Sequence, residues 1–337
     1  MYLKELTLLR GVPGDETAVR DFIFEKIKDK CDEIYRDSIG NLIAVNKSKN
    51  KNAKKVMVCA HMDEVALIVT KITEEGFLKF DTLGGIDTTV LVSKKVLVGK
   101  KAINGVIGAK AIHLQKSSER GKGMEIEELY IDIGAKDKKE AEKYVSLGDY
   151  ATFDSDYVEF GDGFIKAKAI DDRVGCDVMI DIADNHYDFD LYLVFTAQEE
   201  TGLRGVKVAV NRINPDFAIV LETTTCADTF GAIDKDFSTV SGGGVALSFA
   251  DRRTYYSKEI LADVVSVAKK YNIPHQFKRS VSGGNDAGEI HLSCGGIKTI
   301  TMSVPTRYIH SPSSVINKSD FDAMKTLALK YLQEVKL

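Results

Sequence analysis

The architecture is best indicated by Leu191-Tyr-Leu-Val-Phe-Thr-Ala-Gln-Glu-Glu-Thr-Gly-Leu-Arg-Gly205. The apolar, β-branched and aromatic first half of this segment predicts a buried strand, which stops before the glycine-containing end. Two adjacent carboxylates at the end of a core strand are costly to bury unless a metal ion or hydrogen-bond donors hold them. Because neighbouring side chains of an extended chain point in different directions, Glu199 and Glu200 are expected to have different roles, one in metal binding and one in proton transfer.

The composition is typical of a soluble globular protein and argues against two classes of partner. Hydrophobic residues make up 44% of the 337 residues, charged residues make up 28%, and the formal net charge is -4, so a surface for nucleic acid is not expected. We find no leader peptide and no apolar segment long enough to cross a bilayer, so we expect a cytoplasmic protein without a membrane partner. The five cysteines are widely spaced, without a Cys-x-x-Cys pair, which indicates reduced core thiols.

The order of predicted elements indicates two domains, one inserted in the other. Strands alternate with helices in residues 1–68 and 166–337, which predicts a three-layer α/β domain with a mixed sheet between helices. Residues 69–165 contain many short strands separated by glycine turns, which is typical of a small inserted β-barrel. Within that insert, the charged and glycine-containing residues 116–128 are expected to form a mobile surface loop.

Ligand-type side chains occur at five predicted strand ends or loops far apart in the sequence. In open α/β sheets, sites form beyond the carboxyl ends of the strands, so such residues can meet there. Imidazole and carboxylate groups suit zinc, cobalt or manganese, and the set lacks the thiolates of a closed structural zinc site, which indicates a catalytic metal site. The five positions are His61, Asp171, Glu200, Glu222 and His310.

The charges of these residues suggest two metal ions. Two divalent ions bring four positive charges, which three carboxylates and one hydroxide would neutralise, and one carboxylate must then bridge the ions. Asp171 is the best candidate because its short side chain follows a sharp strand-to-helix junction, where Asp172 and Arg173 could form a supporting ion pair. The alternative is that Asp171 and Asp172 only cap the following helix. Asp63 is predicted to accept the second ring N–H of His61, although it could also be a simple turn residue.

Five motifs lie in order along the chain: His61-Met-Asp-Glu-Val65, Ala169-Ile-Asp-Asp-Arg-Val-Gly175, Gln198-Glu-Glu-Thr-Gly-Leu-Arg-Gly205, Gly283-Gly-Asn-Asp-Ala-Gly288 and Val304-Pro-Thr-Arg-Tyr-Ile-His-Ser-Pro312. Together they resemble the tetrahedral (TET) metalloaminopeptidases, a family that includes glutamyl and deblocking aminopeptidases and proteins labelled endoglucanase M. The match covers nearly the whole chain, in order, including the β-rich insert. Ala66, Glu222 and Asn285 depart from the pattern that we expect for this family, but none of these departures removes a ligand.

The resemblance implies a role for each site residue. His61 and Glu222 would bind one ion, Glu200 and His310 would bind the other, and Asp171 would bridge them. The implied reaction is hydrolysis of the N-terminal peptide bond of short peptides by a hydroxide that bridges the two ions, with Glu199 as general base and Asp63 supporting His61. Zinc or cobalt is the expected metal, and manganese is also compatible with the ligands.

The resemblance also implies a homo-oligomer, a tetrahedral dodecamer built from dimers, in which residues 69–165 provide dimer contacts and shape substrate access. Two other functions remain open. A deacylase or amidohydrolase could use the same two metals on an acylated small molecule, and a non-catalytic peptide-binding scaffold could share the fold. A glycosidase is disfavoured, because glycoside hydrolysis uses a carboxylate pair and needs no metal pair. Arg252 and Arg253 could favour acidic substrates, but exposed arginines are more often solvated surface charges.

Overall fold

The computed structural model describes residues 1–115 and 123–335, so residues 116–122 of the predicted surface loop lie outside the described residues. The helices are α1 (Leu3–Leu8), α2 (Thr17–Ile27), α3 (Lys138–Ala141), α4 (Ile170–Ile182), α5 (Arg204–Ile213), α6 (Lys258–Lys270), α7 (Ala287–Ile290) and α8 (Lys318–Glu334). The strands are β1 (Glu33–Arg36), β2 (Leu42–Asn46), β3 (Lys55–His61), β4 (Ala66–Ile72), β5 (Leu78–Leu83), β6 (Lys95–Val98), β7 (Ile103–Gly108), β8 (Tyr130–Asp132), β9 (Tyr150–Phe153), β10 (Val158–Phe160), β11 (Phe164–Ala167), β12 (Asp190–Thr196), β13 (Phe217–Thr225), β14 (Val245–Leu247), β15 (His275–Phe277), β16 (Lys298–Arg307) and β17 (Ser314–Asn317).

A mixed sheet forms the centre of the main domain. Its strands follow the order β1-β2-β12-β3-β13-β16-β17-β11-β10, with β14 pairing with β16 and β15 pairing with β14. The four central strands, β12, β3, β13 and β16, are parallel and almost entirely buried. Their continuous apolar runs fit this position, because a parallel strand packs against helices on both faces of the sheet.

Two groups of helices pack on this sheet. The first group, in which each helix contacts at least one other, consists of α1, α2, α4, α6 and α8. The second group consists of α5 and α7, which contact each other. A large core cluster joins apolar side chains of the helices with those of the central strands. The predicted α/β fold, with a mixed sheet between helices, is therefore confirmed. No helix within the described residues has the length and apolar character needed to cross a membrane.

The insert is a closed antiparallel barrel with its own core. Its strand order is β4-β5-β8-β7-β6-β9, and a separate apolar cluster that includes Leu67, Leu78 and Ile131 fills the interior. The predicted β-barrel is confirmed. The boundaries proposed from the sequence, 69–165, stay a prediction. The barrel strands themselves run from Ala66 to Phe153, while β10 and β11 pair within the main sheet.

Gly205 lies where the loop after β12 enters α5, and it has no room for a side chain. A Cβ at this position would lie 2.2 Å from the carbonyl oxygen of Ala197 and 2.4 Å from Oδ1 of Asn41. The same three residues are hydrogen-bonded, because Gly205 N–H donates to the Ala197 carbonyl and the Asn41 amide donates to the Gly205 carbonyl. These contacts fix both ends of the segment that carries Glu199 and Glu200.

We therefore expect the substitution Gly205→Ala to lower the free energy of unfolding by about 1–3 kcal/mol, the usual cost of overpacking. Urea denaturation of the two proteins measures this difference. The matched control is Gly123→Ala, since a Cβ at Gly123 meets nothing within 4 Å. A stability for Gly205→Ala equal to that of the control would show that the loop adjusts freely.

Candidate metal centre

The predicted ligands meet at the carboxyl edge of the parallel strands. His61 is the last residue of β3, Glu222 lies near the end of β13, and His310 follows β16. The strand β12 ends at Thr196, so Glu199 and Glu200 lie in the loop that leads to α5 and not on the strand itself. Gln198 in that loop has a φ of 56°, in the left-handed region, which turns the chain just before the two carboxylates.

Asp171 lies between the two histidines. Its Oδ1 is 3.3 Å from Nε2 of His61, and its Oδ2 is 3.2 Å from Nε2 of His310. Burial opposes ionisation of this carboxyl group, but the hydrogen bonds with His310 and His61 outweigh it and hold the pKa of Asp171 well below its usual range. One carboxylate thus offers one oxygen to each histidine, which is the arrangement expected of a bridging ligand.

A second carboxylate accompanies each histidine. Oε1 of Glu222 lies 3.8 Å from Nε2 of His61, and Oε2 of Glu200 lies 3.6 Å from Nε2 of His310. The ligand-type atoms of His61, Asp171 and Glu200 lie within 4.8 Å of one another, as do those of His61, Asp172 and Glu222. The two clusters share His61, so they form one continuous group of ligand-type atoms.

Asp172 was not a predicted ligand, although it belongs to the second cluster. Its Oδ2 accepts the backbone N–H of His61 at 3.2 Å, and its Oδ1 accepts the N–H of Gly175 at 3.1 Å. The expected ion pair between Asp172 and Arg173 is wrong. The Arg173 guanidinium lies 3.6 Å from Oε1 of Glu64 and donates to the backbone carbonyl of Leu6. It does not pair with Asp172, because both Asp172 oxygens accept backbone N–H groups elsewhere.

The residues fit divalent cations. Oε1 of Glu200 is buried and has no hydrogen-bond partner among the described residues, which is costly for a carboxylate oxygen unless a cation meets it. Burial raises the pKa of Glu200 to about 7, and burial with the nearby carboxylates raises the pKa of Glu222 well above its usual range. Carboxylates packed this closely repel each other, and divalent ions would remove that repulsion. The mixture of imidazole and carboxylate suits zinc, cobalt or manganese.

Glu199 faces the same centre without belonging to either cluster. It lines a cavity of about 220 Å³ together with His61, Asp171 and Glu200. Burial opposes protonation of His61, but nearby carboxylates, with that of Glu199 first among them, outweigh it and raise the pKa of His61. The Glu199 side chain therefore lines the same cavity as the predicted ligands.

Asp63 fixes the loop that carries both glutamates. Its Oδ1 accepts the N–H of Glu199 at 3.0 Å, and its Oδ2 accepts the N–H of Glu200 at 3.0 Å. The Nδ1 atom of His61 lies 3.0 Å from the Asp63 carbonyl oxygen and 3.6 Å from its Oδ1. The sequence suggested that the carboxylate receives the ring N–H. In the structure the carbonyl is the nearer acceptor, since both carboxylate oxygens already receive loop N–H groups.

We expect Asp63→Asn to lower kcat/KM by about 10- to 100-fold, the usual effect of removing a group that orients metal ligands. An asparagine has one acceptor oxygen in place of two, so one of the two N–H groups would face the side-chain NH₂ and the loop would shift. Steady-state kinetics beside a melting curve measure the effect. Unchanged kinetics in a folded variant would show that the loop does not depend on Asp63.

The barrel also contributes to the centre. His310 has a φ of 57°, and its Nδ1 lies 3.0 Å from the carbonyl oxygen of Gly85, in the segment that follows β5. A Cβ at Gly84 would lie 3.2 Å from Oε2 of Glu200. Burial opposes protonation of His310, but Asp171 and Glu200 raise its pKa to about 9. The insert therefore orients one histidine of the main domain.

The cavity also contains residues that the sequence did not single out. Lys278 lies in its wall, whereas Arg252 and Arg253, the cations considered from the sequence, are exposed and do not line it. Lys278 belongs to the short segment that follows β15, and β15 is attached to the main sheet through its pairing with β14. No motif in the sequence marks a lysine that reaches the site by such pairing.

Comparison with known proteins identifies the family. A family model described as M42 glutamyl aminopeptidase matches residues 40–327, which is most of the chain. The chain belongs to the M42 family. The resemblance to the TET aminopeptidases is thereby confirmed, and this M42 protein is a hydrolase that acts on peptide bonds.

Three similar proteins illustrate the range of the family. A relative from Acetivibrio thermocellus is 41% identical and is matched over 96% of both chains. The lysyl aminopeptidase of Pyrococcus furiosus is 30% identical, with 99% of this chain and 96% of that protein covered. The TET1 peptidase of Pyrococcus horikoshii can assemble into a tetrahedron or a large octahedral shell. It is 30% identical to this chain, with a TM-score of 0.87, and the match covers 99% of this chain and 98% of that chain.

Proposed function

We propose that this M42 protein is an aminopeptidase that uses two divalent metal ions to remove the N-terminal residue of short peptides. The observation that carries the proposal is the position of Asp171, with one carboxylate oxygen near His61 and the other near His310. His61 and Glu222 would hold one ion, His310 and Glu200 would hold the other, and Asp171 would contact both. Zinc or cobalt is the expected metal, with manganese also compatible.

The metal ions, when bound, lower the pKa of a water molecule and polarise the scissile carbonyl group. Within the chain, Glu199 takes the proton of the attacking water and passes it to the nitrogen of the leaving peptide as the C–N bond breaks. Asp63 holds the backbone of Glu199 and Glu200, and the carbonyls of Asp63 and Gly85 orient the two histidine rings. The small polar cavity around these groups receives the N-terminal residue.

The alternative enzyme is a deacylase or amidohydrolase with the same ligands, and the N-terminus of the substrate distinguishes the two. We expect the protein to hydrolyse a tripeptide with a free α-amine and to leave the N-acetylated peptide intact, because an aminopeptidase recognises the free amine. Liquid chromatography of both reactions, after chelation and readdition of zinc, cobalt or manganese, measures this. Cleavage of only the acetylated peptide would favour a deacylase, and no cleavage under any condition would favour a scaffold.

We further propose that the protein forms a homo-oligomer, as the TET1 peptidase of Pyrococcus horikoshii does. The expected state is a tetrahedral dodecamer built from dimers, in which residues 69–165 provide dimer contacts and limit access to the site. The contact of Gly85 with His310 supports the second role, because it brings the barrel to the edge of the reaction centre. Analytical ultracentrifugation of the full chain distinguishes a dodecamer from a dimer or monomer.

A further inference from the structure

The backbone N–H groups of residues 197–200 lie beyond Thr196, the last residue of β12, and each of them donates to a side chain from another part of the chain. Backbone N–H groups that leave a sheet inside a protein need such partners, because an unpaired buried donor is costly. The acceptors are Asn41 for Ala197 at 2.8 Å, Glu16 for Gln198 at 3.1 Å, and Asp63 for Glu199 and Glu200 at 3.0 Å each.

Gln198 is the residue of this loop whose conformation most needs support. Its φ of 56° lies in the left-handed region, which residues with a Cβ adopt at a cost and keep only where the surrounding structure holds them. Its carbonyl oxygen accepts the N–H of Arg204 at 3.2 Å, and its own N–H donates to Glu16. Glu16 therefore holds the N–H side of the residue that directly precedes Glu199.

The Glu16 side chain is buried, and its contacts are with backbone N–H groups. Glu16 is the N-cap residue of α2, but its side chain does not cap that helix. Its Oε1 instead accepts the N–H of Gly14 at 2.8 Å and that of Gln198 at 3.1 Å, and only 1% of the residue is exposed. A carboxyl group is costly to bury without such donors, so these two bonds account for its position.

Two charged side chains, Asp63 and Arg20, act on Glu16. Burial raises the pKa of Glu16 to about 7; the bonds from backbone N–H groups lower it, and the Asp63 carboxylate raises it. Burial lowers the pKa of Arg20, and Glu16 is one of the carboxylates that counter this effect. The Arg20 guanidinium donates to the carbonyl of Gly40 at 3.3 Å. The contact of Glu16 with the loop thus consists of a hydrogen bond to an acceptor oxygen, which a neutral side chain can also provide.

The segment that carries Glu16 is itself fixed to the loop after β3. The N–H of Gly11 donates to Oε1 of Glu64 at 3.2 Å, and the N–H of Glu64 donates to the carbonyl of Gly11 at 2.9 Å. Glu64 lies three residues after the proposed ligand His61. The N-terminal segment therefore connects the loop of His61 with the loop of Glu199.

We propose that Glu16 is a positioning residue for catalysis, which holds Gln198 in its left-handed conformation and thereby sets the position of Glu199. The inference rests on the proposed function, since it takes Glu199 to be the general base. Within the part of the chain that the structure describes, Glu16 neither lines the cavity nor belongs to a cluster of ligand-type atoms, so it acts through the loop and not on substrate or metal. A small displacement of a catalytic group is enough to slow the reaction strongly.

The test compares two substitutions of Glu16 in the metal-loaded enzyme, with an unblocked tripeptide as substrate. Glu16→Met keeps an unbranched side chain and removes the acceptor oxygen, so kcat should fall by about 10- to 100-fold. KM and metal content should stay at the native level. Glu16→Gln keeps an acceptor oxygen for the same N–H groups, so its kcat should remain close to the native value.

The matched control is Asp320→Leu, which replaces another buried carboxyl group that accepts two backbone N–H groups. Asp320 lies in α8 and accepts the N–H groups of Gly242 and Gly244 at 2.7 Å each, in a segment that carries no proposed site residue. Melting curves should show that both apolar variants are less stable than the native enzyme. Only Glu16→Met should lose kcat at a temperature where both are folded.

Hydrogen exchange resolved at single amides gives a readout independent of turnover. The Gln198 amide should exchange slowly in the native enzyme and in Asp320→Leu, and faster in Glu16→Met. The measurement on the native enzyme decides the question even if Glu16→Met does not fold, because exchange at the rate of an unstructured peptide would overturn the role of Glu16.

Three kinetic results would also overturn the inference while leaving the aminopeptidase function intact. They are a native kcat in folded Glu16→Met, an equal loss of kcat in Glu16→Gln, and an equal loss in Asp320→Leu. Failure of the native enzyme to cleave the tripeptide with any metal would overturn the proposed function itself.

Discussion

Replacing Glu199 with glutamine should lower kcat by about 10²- to 10⁴-fold, the usual contribution of general acid-base catalysis, while the metal content stays at the native level. The amide keeps the size of the side chain and cannot accept the proton of the attacking water. Glu199 belongs to neither cluster of ligand-type atoms, so its loss should not release an ion. Steady-state kinetics and elemental analysis of the same preparation measure both quantities.

The matched comparison is Glu200→Gln, which makes the same chemical change one residue further along the loop. Glu200 belongs to the cluster with His61 and Asp171, so this variant should lose metal together with activity. The backbones of both glutamates are held by Asp63, so a general disturbance of the loop would affect the two variants alike. Loss of metal in Glu199→Gln, or retained activity, would contradict the assignment of Glu199 as the base.

Replacing Asp171 with alanine should have the largest effect on metal binding. Each of its oxygens faces one histidine of the proposed metal centre, so its removal should weaken binding of both ions by more than about 100-fold, the upper effect of losing a group that only orients a ligand. His310→Ala should release one ion and leave the second, because His310 belongs to one side of the centre. Titration of the chelated proteins with cobalt, followed by calorimetry, gives the number of ions bound.

A control for the Asp171 variant is Asp184→Asn. Asp184 is an exposed aspartate just after α4, the helix that contains Asp171, and it forms an ion pair with Lys30. This control should bind two ions with native affinity. If Asp171→Ala released only one ion, Asp171 would be an ordinary ligand and the centre would not be bridged through this residue.

The sequence was sufficient to predict the fold and to predict that the proposed ligands lie close together. Apolar runs that end in His61 or in Glu222 predict buried parallel strands, and parallel strands bring their carboxyl ends to one edge of a sheet. The glycine-separated short strands of the insert predicted a barrel in the same way. Both inferences depend only on local pattern and on a general property of α/β sheets.

Other features depend on contacts between elements, which no local pattern contains. The carbonyl of Gly85 reaches His310 from the barrel, and Asp63 accepts N–H groups from a loop more than a hundred residues away. The arginine of Asp172-Arg173 turns to Glu64, although adjacency suggested an ion pair. Lys278 enters the cavity through the pairing of β15 with β14. These residues support and line the site, and their roles follow from the tertiary structure.

The most direct test of a two-metal aminopeptidase is the release of the N-terminal residue from an unblocked tripeptide, measured against the number of ions bound per subunit. The chelated protein should be inactive, and activity should rise on titration with zinc or cobalt and reach its maximum at two ions per subunit. Full activity in the chelated protein, or a maximum at one ion, would contradict the two-metal centre built around Asp171.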